Sequence, residues 1–313
     1  MSTHYNQHVP VLLDPILDFL KTHPKSKRQK RAFDGTLGGG SYSRELLDHG
    51  YEVTASDLDY SAIENLRGLD KFARNGQLKL INGNFADVVY DFDDSSLDII
   101  TLDLGFSSNQ LESVGRGFSY QKDQEILDLR YNPDTGLSCS EKLKKVRTTQ
   151  DLWTILYTYS GESLSRPVAK AIFELTRSKN SKHFNVLEIK EAVIKAIPKK
   201  FLKNKNAILS RVWQALRIWT NREFESLEKF LKVAHTKLAV DGLLCIVSFH
   251  SLEDKIVTKY MRYLAKPVEI DGYGNKRQNF KLLTPKPIAP SEEEIMYNSR
   301  SRSATLRVLK RLV

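Results

Sequence analysis

The run Asp34-Gly35-Thr36-Leu37-Gly38-Gly39-Gly40-Ser41 lies between a short apolar stretch, Ala32-Phe33, and a helical pattern at Arg44-Glu45-Leu46-Leu47. Strand, glycine turn and helix in that order restrict the chain to few folds and make a cradle for a phosphate or a nucleoside. Glycine lets the backbone approach a ligand where a Cβ would collide, and the free amides of the following helix start point toward it. The spacing departs from G-x-G-x-x-G, and no lysine follows the last glycine as a Walker loop requires. Downstream, Tyr51-Glu52-Val53-Thr54-Ala55-Ser56 reads as a second strand closed by Asp57-Leu58-Asp59. An acid there accepts hydrogen bonds from the ribose hydroxyls of an adenosine-containing cofactor. The plainer alternative is a solvated turn at a strand end.

The same rhythm repeats. His8-Val9-Pro10-Val11-Leu12-Leu13 leads into a helical pattern through Ile16, Leu17 and Leu20, expected to pack over the first strand. Ser61 to Leu69 looks helical, Leu78-Lys79-Leu80-Ile81 reads as a third strand ending at Asn82-Gly83-Asn84-Phe85, and Ser96 to Leu102 as a fourth ending at Asp103-Leu104-Gly105. Three strands ending in ligand-competent residues, one helix apart, are the layout of a doubly wound α/β sheet, which binds ligands at the carboxyl ends of its strands.

From roughly Leu111 to Gln214 the patterns are helical. Leu152, Ile155, Leu156 and Tyr159 share one face, as do Val168, Ala171, Ile172 and Leu175, and then Ile189, Val193, Ala196 and Ile197. The expected organisation is an α/β core in two parts, residues 1–110 and 215–313, with an all-helical domain inserted at 111–214. Such an insert holding a macromolecular substrate over the core is an analogy. A long helix carrying Leu209, Val212, Trp213 and Leu216, then Phe224, Leu227, Leu231, Ala234 and Leu238, precedes the return to the sheet. Asp241-Gly242 turns the chain into the apolar run Leu243-Leu244-Cys245-Ile246-Val247, fit for a fully buried strand. That run ends in the polar cluster Ser248 to Asp254. Lys255 to Leu264 reads as helix, residues 267 to 281 as an irregular charged hairpin or loop, and Thr305 to Leu309 as a last strand.

Charge narrows the partners. The 313 residues carry a net +10, with a pI near 9.3, unevenly placed. Lys25, Lys27, Arg28, Lys30 and Arg31 crowd one loop, Lys199, Lys200, Lys203 and Lys205 another, and Arg300, Arg302, Arg307, Lys310 and Arg311 the C-terminal segment. Such clusters suit a polyanion, because each neutralised phosphate releases counterions, although they also serve plain solubility. No apolar run approaches the ~20 residues that span a bilayer, and Met1-Ser2-Thr3-His4-Tyr5 lacks the basic-then-apolar order of a secretion signal. A cytoplasmic protein without membrane contact is expected. Two cysteines, Cys139 and Cys245, support neither a disulfide framework nor a zinc cluster. His4, His8 and His250 lack ligand companions at workable spacing, so no metal is expected. Without a G-x-S-x-G elbow, Ser-His-Asp hydrolase chemistry finds no support.

Longer segments carry a resemblance. His8-Val9-Pro10-Val11-Leu12-Leu13, Asp34-Gly35-Thr36, Asp103-Leu104-Gly105-Phe106-Ser107-Ser108-Asn109-Gln110-Leu111 and Arg116-Gly117-Phe118-Ser119-Tyr120 stand in order. Leu127-Asp128-Leu129-Arg130, Gln214-Ala215-Leu216-Arg217-Ile218, Ser248-Phe249-His250-Ser251-Leu252-Glu253-Asp254 and Asn298-Ser299-Arg300-Ser301-Arg302-Ser303 follow. With these motifs the chain resembles, from His8 to the C-terminal strand, the bacterial small-subunit rRNA cytosine-N4 methyltransferases of the RsmH, or MraW, type. The resemblance implies a Rossmann-like class I methyltransferase core with an inserted all-helical domain, and S-adenosylmethionine as cofactor. It implies N4-methylation of a decoding-centre cytidine of 16S rRNA, with that rRNA or the 30S subunit as partner.

On that match the cofactor contacts fall at Gly40, Ser41, Tyr42, Asp57, Phe85, Asp103 and Gln110. Phe85 offers a flat apolar face to a purine, or simply packs in the core. Asp103 accepts a bond from the methionine amine or from the nucleophile, or caps a turn. His250, a group able to titrate near neutrality, is the second candidate for catalysis, or a satisfied structural histidine. Arg211, Arg217, Arg300 and Arg302 are candidate phosphate contacts, with Arg116 and Arg130 nearer the target loop, because a planar donor fork suits phosphate oxygens. Each of them also suits an ion pair. The chain departs from the family pattern at Gly40-Ser41-Tyr42, where Gly-Gly-His is usual, and at Ala207-Ile208-Leu209-Ser210-Arg211, where His-Pro-Ala-Thr-Arg is usual. The stretch Asp123 to Leu127 is one residue longer than the usual form. The readings that remain beside cytosine-N4 transfer are another RNA or amine acceptor on the same cofactor, and a non-catalytic RNA-binding or ribosome-assembly factor.

Overall fold

The structure, a computed structural model, describes residues 10–21, 29–64, 68–105, 115–179, 181–270 and 276–313. The chain divides into two compact units, Met1–Ser107 with Glu225–Val313, and Ser108–Phe224.

The first unit is built on β1 (Lys30–Asp34), β2 (Tyr51–Asp57), β3 (Leu78–Asn82), β4 (Leu97–Asp103), β5 (Leu238–Ser248), β8 (Phe280–Leu282) and β9 (Thr305–Arg311). The short strands β6 (Glu269–Ile270) and β7 (Lys276–Arg277) pair with each other outside this sheet. The sheet runs β3-β2-β1-β4-β5-β9-β8, with the first five strands parallel and β9 antiparallel to both β5 and β8. Strand order reverses between β1 and β4, and this reversal opens a crevice at their carboxyl ends. The topology is a Rossmann-like α/β fold, as expected.

Period-two alternation sorts the strand residues onto two apolar layers. Ala32, Ile99, Leu243, Cys245 and Val247 join one core with Ile16 and Leu20 of α1 (Leu13–Lys21) and Leu46 and Leu47 of α2 (Ser41–Asp48). Their neighbours Phe33, Ile100, Leu244 and Ile246 join the other. That second layer includes Leu227, Phe230 and Leu231, from α11 (Glu223–Lys237), and Val257 and Met261, from α12 (Ser251–Leu264). Because both faces are covered, β4 and β5 read as nearly continuous apolar runs. Asp98, Thr101 and Ser248 are buried polar exceptions, and Asp98 accepts the Arg31 N–H at 2.8 Å.

Several expectations are corrected. Of the stretch expected to be helical at Ser61 to Leu69, residues 61–64 belong to α3 (Tyr60–Glu64), residues 65–67 lie outside the described residues, and residues 68 and 69 form a turn before α4 (Asp70–Arg74). Asp241-Gly242 is an irregularity inside β5, with Asp241 at φ 68°, and not a turn before it. A Cβ at Gly242 would stand 2.9 Å from the Leu97 carbonyl, which explains why glycine occupies the kink. Within the stretch 267 to 281, expected to be an irregular charged hairpin or loop, β6 and β7 do pair antiparallel, but Phe280 and Lys281 belong with Leu282 to the sheet edge against β9.

In the second unit, residues 115–138 hold no helix, contrary to the helical reading from Leu111. Gly115, Gly117, Gly136 and Leu129 adopt positive φ there, which breaks any helix. This segment is nevertheless buried at Phe118, Leu127 and Leu129, and its main chain is tied by Leu127 N–H to Phe184 O and by Cys139 N–H to Asp128 O. Helices follow at α6 (Cys139–Lys145), α7 (Thr149–Ser160), α8 (Ser165–Ser178), α9 (Val186–Ala196) and α10 (Lys205–Asn221). Capping boxes at Ser138, Thr148 and Asn185 start three of them. Ile208, Leu209, Val212, Trp213 and Leu216 of α10 lie in this unit's own core. The unit therefore extends past 214, to the break where Arg222 takes φ 54° between α10 and the helix that follows.

Candidate active site

The loop after β1 is threaded between its neighbours. Gly35 N–H donates to Thr101 O at 3.0 Å, Ser56 Oγ donates to Gly35 O at 3.2 Å, and Leu37 N–H donates to Ser56 O at 2.9 Å. A Cβ on Gly35 would lie 2.3 Å from Leu102 Cδ2 and 2.9 Å from Phe85 Cβ, so only glycine fits where these strand ends converge. Gly40 caps α2 at φ 75°, and a Cβ there would meet Leu69 Cδ1 at 2.8 Å. Gly40 and Ser41 thus present the start of a helix, as their assignment to a ligand loop requires. The Tyr42 ring is buried and its hydroxyl donates to Val11 O. Burial, with Asp103 and Asp34 nearby, pushes the phenol well above its ordinary range, so it stays neutral and leaves its main chain for a ligand.

Three acids close the strands. Asp57 ends β2, where its carboxylate accepts Gly38 N–H at 2.8 Å through Oδ2 and Asp59 N–H at 2.8 Å through Oδ1. Burial raises it to about 6 against these two bonds. Asp34 ends β1, is fully buried, and accepts from Ser43 Oγ at 2.7 Å and Thr36 N–H at 3.2 Å. Its carboxyl is also raised, first by burial. Asp103 ends β4 opposite Val247 of β5, and its N–H donates to Thr36 Oγ1 at 2.7 Å. The residue keeps part of its surface open, yet its Oδ1 is sealed and has no hydrogen-bond partner among the described residues. Burial, then Asp34, Glu253 and Glu294, hold this carboxyl well above the usual range. A buried acceptor in such surroundings calls for a donor or a cation.

Phe85 opens α5 (Phe85–Val88), is half-buried, and meets Phe230 edge-on at 5.3 Å between centroids. Asn84 caps the same helix by accepting Ala86 N–H at 2.9 Å, and donates to Ser226 Oγ at 2.9 Å. At the end of β5, His250 caps α12 (Ser251–Leu264): its Nδ1 accepts Glu253 N–H at 3.3 Å. Its Nε2 lies 3.1 Å from Glu253 Oε1. Glu253, buried, accepts Phe249 N–H at 2.9 Å. Glu294, in α13 (Glu292–Tyr297), accepts Leu12 N–H at 2.8 Å. Gln110 lies outside the described residues.

The crevice therefore gathers Gly40, Ser41, Asp57, Phe85 and Asp103 in one unit, with His250 at the end of the adjoining strand. Three further groups at the site had no role assigned from the sequence. Asp34 and Glu253 stood inside quoted motifs, while Glu294 carried no local signal because its partner Leu12 is far away in the chain.

The candidate arginines divide. Arg217 is buried and forked onto Glu223 at 2.9 and 3.0 Å, and Arg130 is forked onto Asp128 at 2.7 Å with further bonds to Thr135 O and Gly136 O. Both forks are occupied. Arg211 binds buried Glu162 at 2.6 Å yet keeps 43% of its side chain exposed. Arg116 donates to Tyr131 O at 3.2 Å and lies over the Phe118 ring. Arg300 and Arg302 are exposed on the short turn before β9.

Among the described residues no group of three or more His, Cys, Asp or Glu is placed to hold a metal, and no helix is long and apolar enough to cross a membrane. Cys139 and Cys245 are buried and free, and burial pushes each thiol up to about 12.

The chain matches the family model described as "MraW methylase family" over residues 5–312. It is similar to a Prochlorococcus marinus protein named ribosomal RNA small subunit methyltransferase H, at 36% identity over 98% of this chain and 96% of that one. Proteins of the same name from Clostridium botulinum (36% identity, 98% and 99% covered) and Gloeothece citriformis (36% identity, 97% and 94% covered) are similar to it as well. Matched along nearly its whole length by the family model and by these relatives, this chain belongs to the MraW methylase family.

Proposed function

We propose that this protein transfers a methyl group from S-adenosylmethionine to the exocyclic N4 of a decoding-centre cytidine in small-subunit rRNA. The observation that carries the reading is the Oδ1 of Asp103 at the end of β4, which has no hydrogen-bond partner among the described residues and lies under the influence of Asp34, Glu253 and Glu294. The residues fit this donor. Gly38, Gly40 and Ser41 offer a close-approach loop, Asp57 ends the neighbouring strand as a ribose acceptor, and Phe85 gives a flat wall for adenine. The acids around Asp103 favour a cationic ligand.

The donor supplies an electrophilic methyl on a sulfonium, so the protein mainly has to hold the nitrogen near attack distance with its lone pair aligned. A cytosine amine is delocalised into its ring. Asp103 accepts an N4–H bond, draws the nitrogen toward the pyramidal geometry that attacks, and holds the proton the nitrogen sheds as the N–C bond forms. Its raised affinity for protons suits that second task. His250 acts as a positioning residue that keeps Glu253 in place beside Asp103. Arg116, Arg211, Arg300 and Arg302 serve the RNA phosphates, while Arg130 and Arg217 hold their own unit together. The work belongs in the cytoplasm, where ribosomal subunits are made.

The test is incubation with methyl-labelled S-adenosylmethionine and, separately, small ribosomal subunits, naked small-subunit rRNA and tRNA, followed by nucleoside mass spectrometry. N4-methylcytidine from the small subunit or its rRNA is the expected product, and label on tRNA alone would sink the reading. Asp103→Ala is expected to lose turnover by more than it loses donor affinity.

A further inference from the structure

The helical unit contains a hollow of about 330 Å³ that the proposed methyl transfer does not use. One wall is apolar and aromatic, formed by Val146, Ile155 and the half-exposed indole of Trp219. Lys142 also lines the hollow and ties down the main chain that carries the indole. Its Nζ donates to Trp219 O at 3.0 Å and Thr220 O at 2.8 Å, and stands 5.5 Å from the ring centroid. The rim is cationic. Lys145, in the last turn of α6, and Arg147, just before α7, are exposed, and neither has a carboxylate within ion-pair distance among the described residues. Asp151, the acid on the rim, is turned to the capping box of α7, where it accepts Thr148 N–H at 3.1 Å. The first turn of that 12-residue helix adds its partial positive charge to the same side.

We infer that this hollow binds one unpaired nucleotide of an RNA strand, with its base against Trp219 and its phosphate between Lys145 and Arg147. Size, chemistry and charge agree. The volume is at the small end of ligand sites and takes one base with its sugar, not a duplex. Single-stranded RNA is recognised by stacking on aromatic faces with cations along the backbone. An apolar peptide would leave both cations unmatched. The inference rests on the RNA reading above but concerns a place separate from the Asp103 crevice, a second grip on the strand.

Fluorescence anisotropy of end-labelled hexauridylate with the full-length protein, no donor present, tests it. Trp219→Leu and the double variant Lys145→Ala/Arg147→Ala are each expected to bind about tenfold more weakly than the wild type. An abasic hexamer is expected to bind the wild type about tenfold more weakly than hexauridylate and to be insensitive to Trp219→Leu. If Trp219→Leu fails to fold, the exposed double variant and the abasic comparison decide. Unchanged binding by the double variant, equal binding of abasic and base-bearing strands, or equal binding of a polyglutamate peptide overturns the inference. Methyl transfer by the wild type is measured separately. A protein that methylates rRNA but binds the hexamer independently of these residues refutes only the second grip. One that binds through Trp219 but transfers no methyl refutes only the proposed function.

Discussion

Asp57 links stability and donor affinity through a single proton. Its carboxyl stands at about 6 in the folded protein, raised from 3.8 chiefly by burial. Because the folded value is the higher one, the folded state binds more protons than the unfolded state between these limits, and stability falls as pH rises through that window. At pH 5 a group near 6 is protonated roughly ten to one, so Asp57 alone adds about 1.4 kcal/mol of stability at pH 5, and that contribution is gone by pH 8. A ribose hydroxyl donating to this residue needs the ionised form, so the same proton must leave before the donor binds. Affinity for S-adenosylmethionine is therefore expected to weaken about tenfold from pH 8 to pH 5, opposite in sign to the change in stability. Asp57→Asn removes the titration, while its side-chain oxygen still accepts one of the two N–H groups from Gly38 and Asp59. Urea unfolding and isothermal titration across pH 5 to 8, on wild type and variant, measure both slopes. Asp34 and Asp103 also titrate, so the quantity of interest is the difference between the two proteins. If that difference is flat for both stability and affinity, Asp57 is not the linked group and the ribose assignment falls.

Gly35→Ala forces a methyl against Leu102 and Phe85 and is expected to cost about 1–3 kcal/mol of stability, read as a lower urea midpoint; an unchanged midpoint would show that the strand ends have room. Arg217→Ala removes the guanidinium from the largely covered Glu223, which keeps only the Tyr131 hydroxyl as side-chain donor, and is expected to destabilise the protein by about 2–4 kcal/mol. Were Arg217 instead a phosphate contact, RNA affinity would fall while the melting temperature held. His250→Asn keeps a capping acceptor and is expected to stay within a few tenths of a kcal/mol of wild type, whereas His250→Ala loses about 1 kcal/mol. Methylation rates that drop equally in both variants would instead assign the imidazole a chemical role.

Elements with a short-range signature were legible. The strand and helix of the glycine loop, the acids closing β2 and β4, the buried run in β5 and the helical faces of the second unit all follow from local alternation or from residues with a fixed conformational habit. The irregular stretch 115–138 was misread because it was taken together with the helical faces that begin at Leu152, while its glycines and Leu129 adopt positive φ. The three-residue edge strand Phe280–Leu282 was missed because it is too short for period-two alternation to show and exists only by pairing with β9.

The arginines show the boundary most plainly. From sequence, Arg217 and Arg302 are equivalent cations. In the fold one is sealed onto Glu223 while the other stands in solvent, because burial depends on which helix covers which. By itself, the order of residues determined the parallel strands, the loop and the family, since each is written in neighbours a few positions apart. Only tertiary packing decided that Asp103 ends with a sealed oxygen facing Asp34, Glu253 and Glu294. The proton affinity of a carboxyl is set by lost water and by charges within a few ångströms, and here those charges come from opposite ends of the chain.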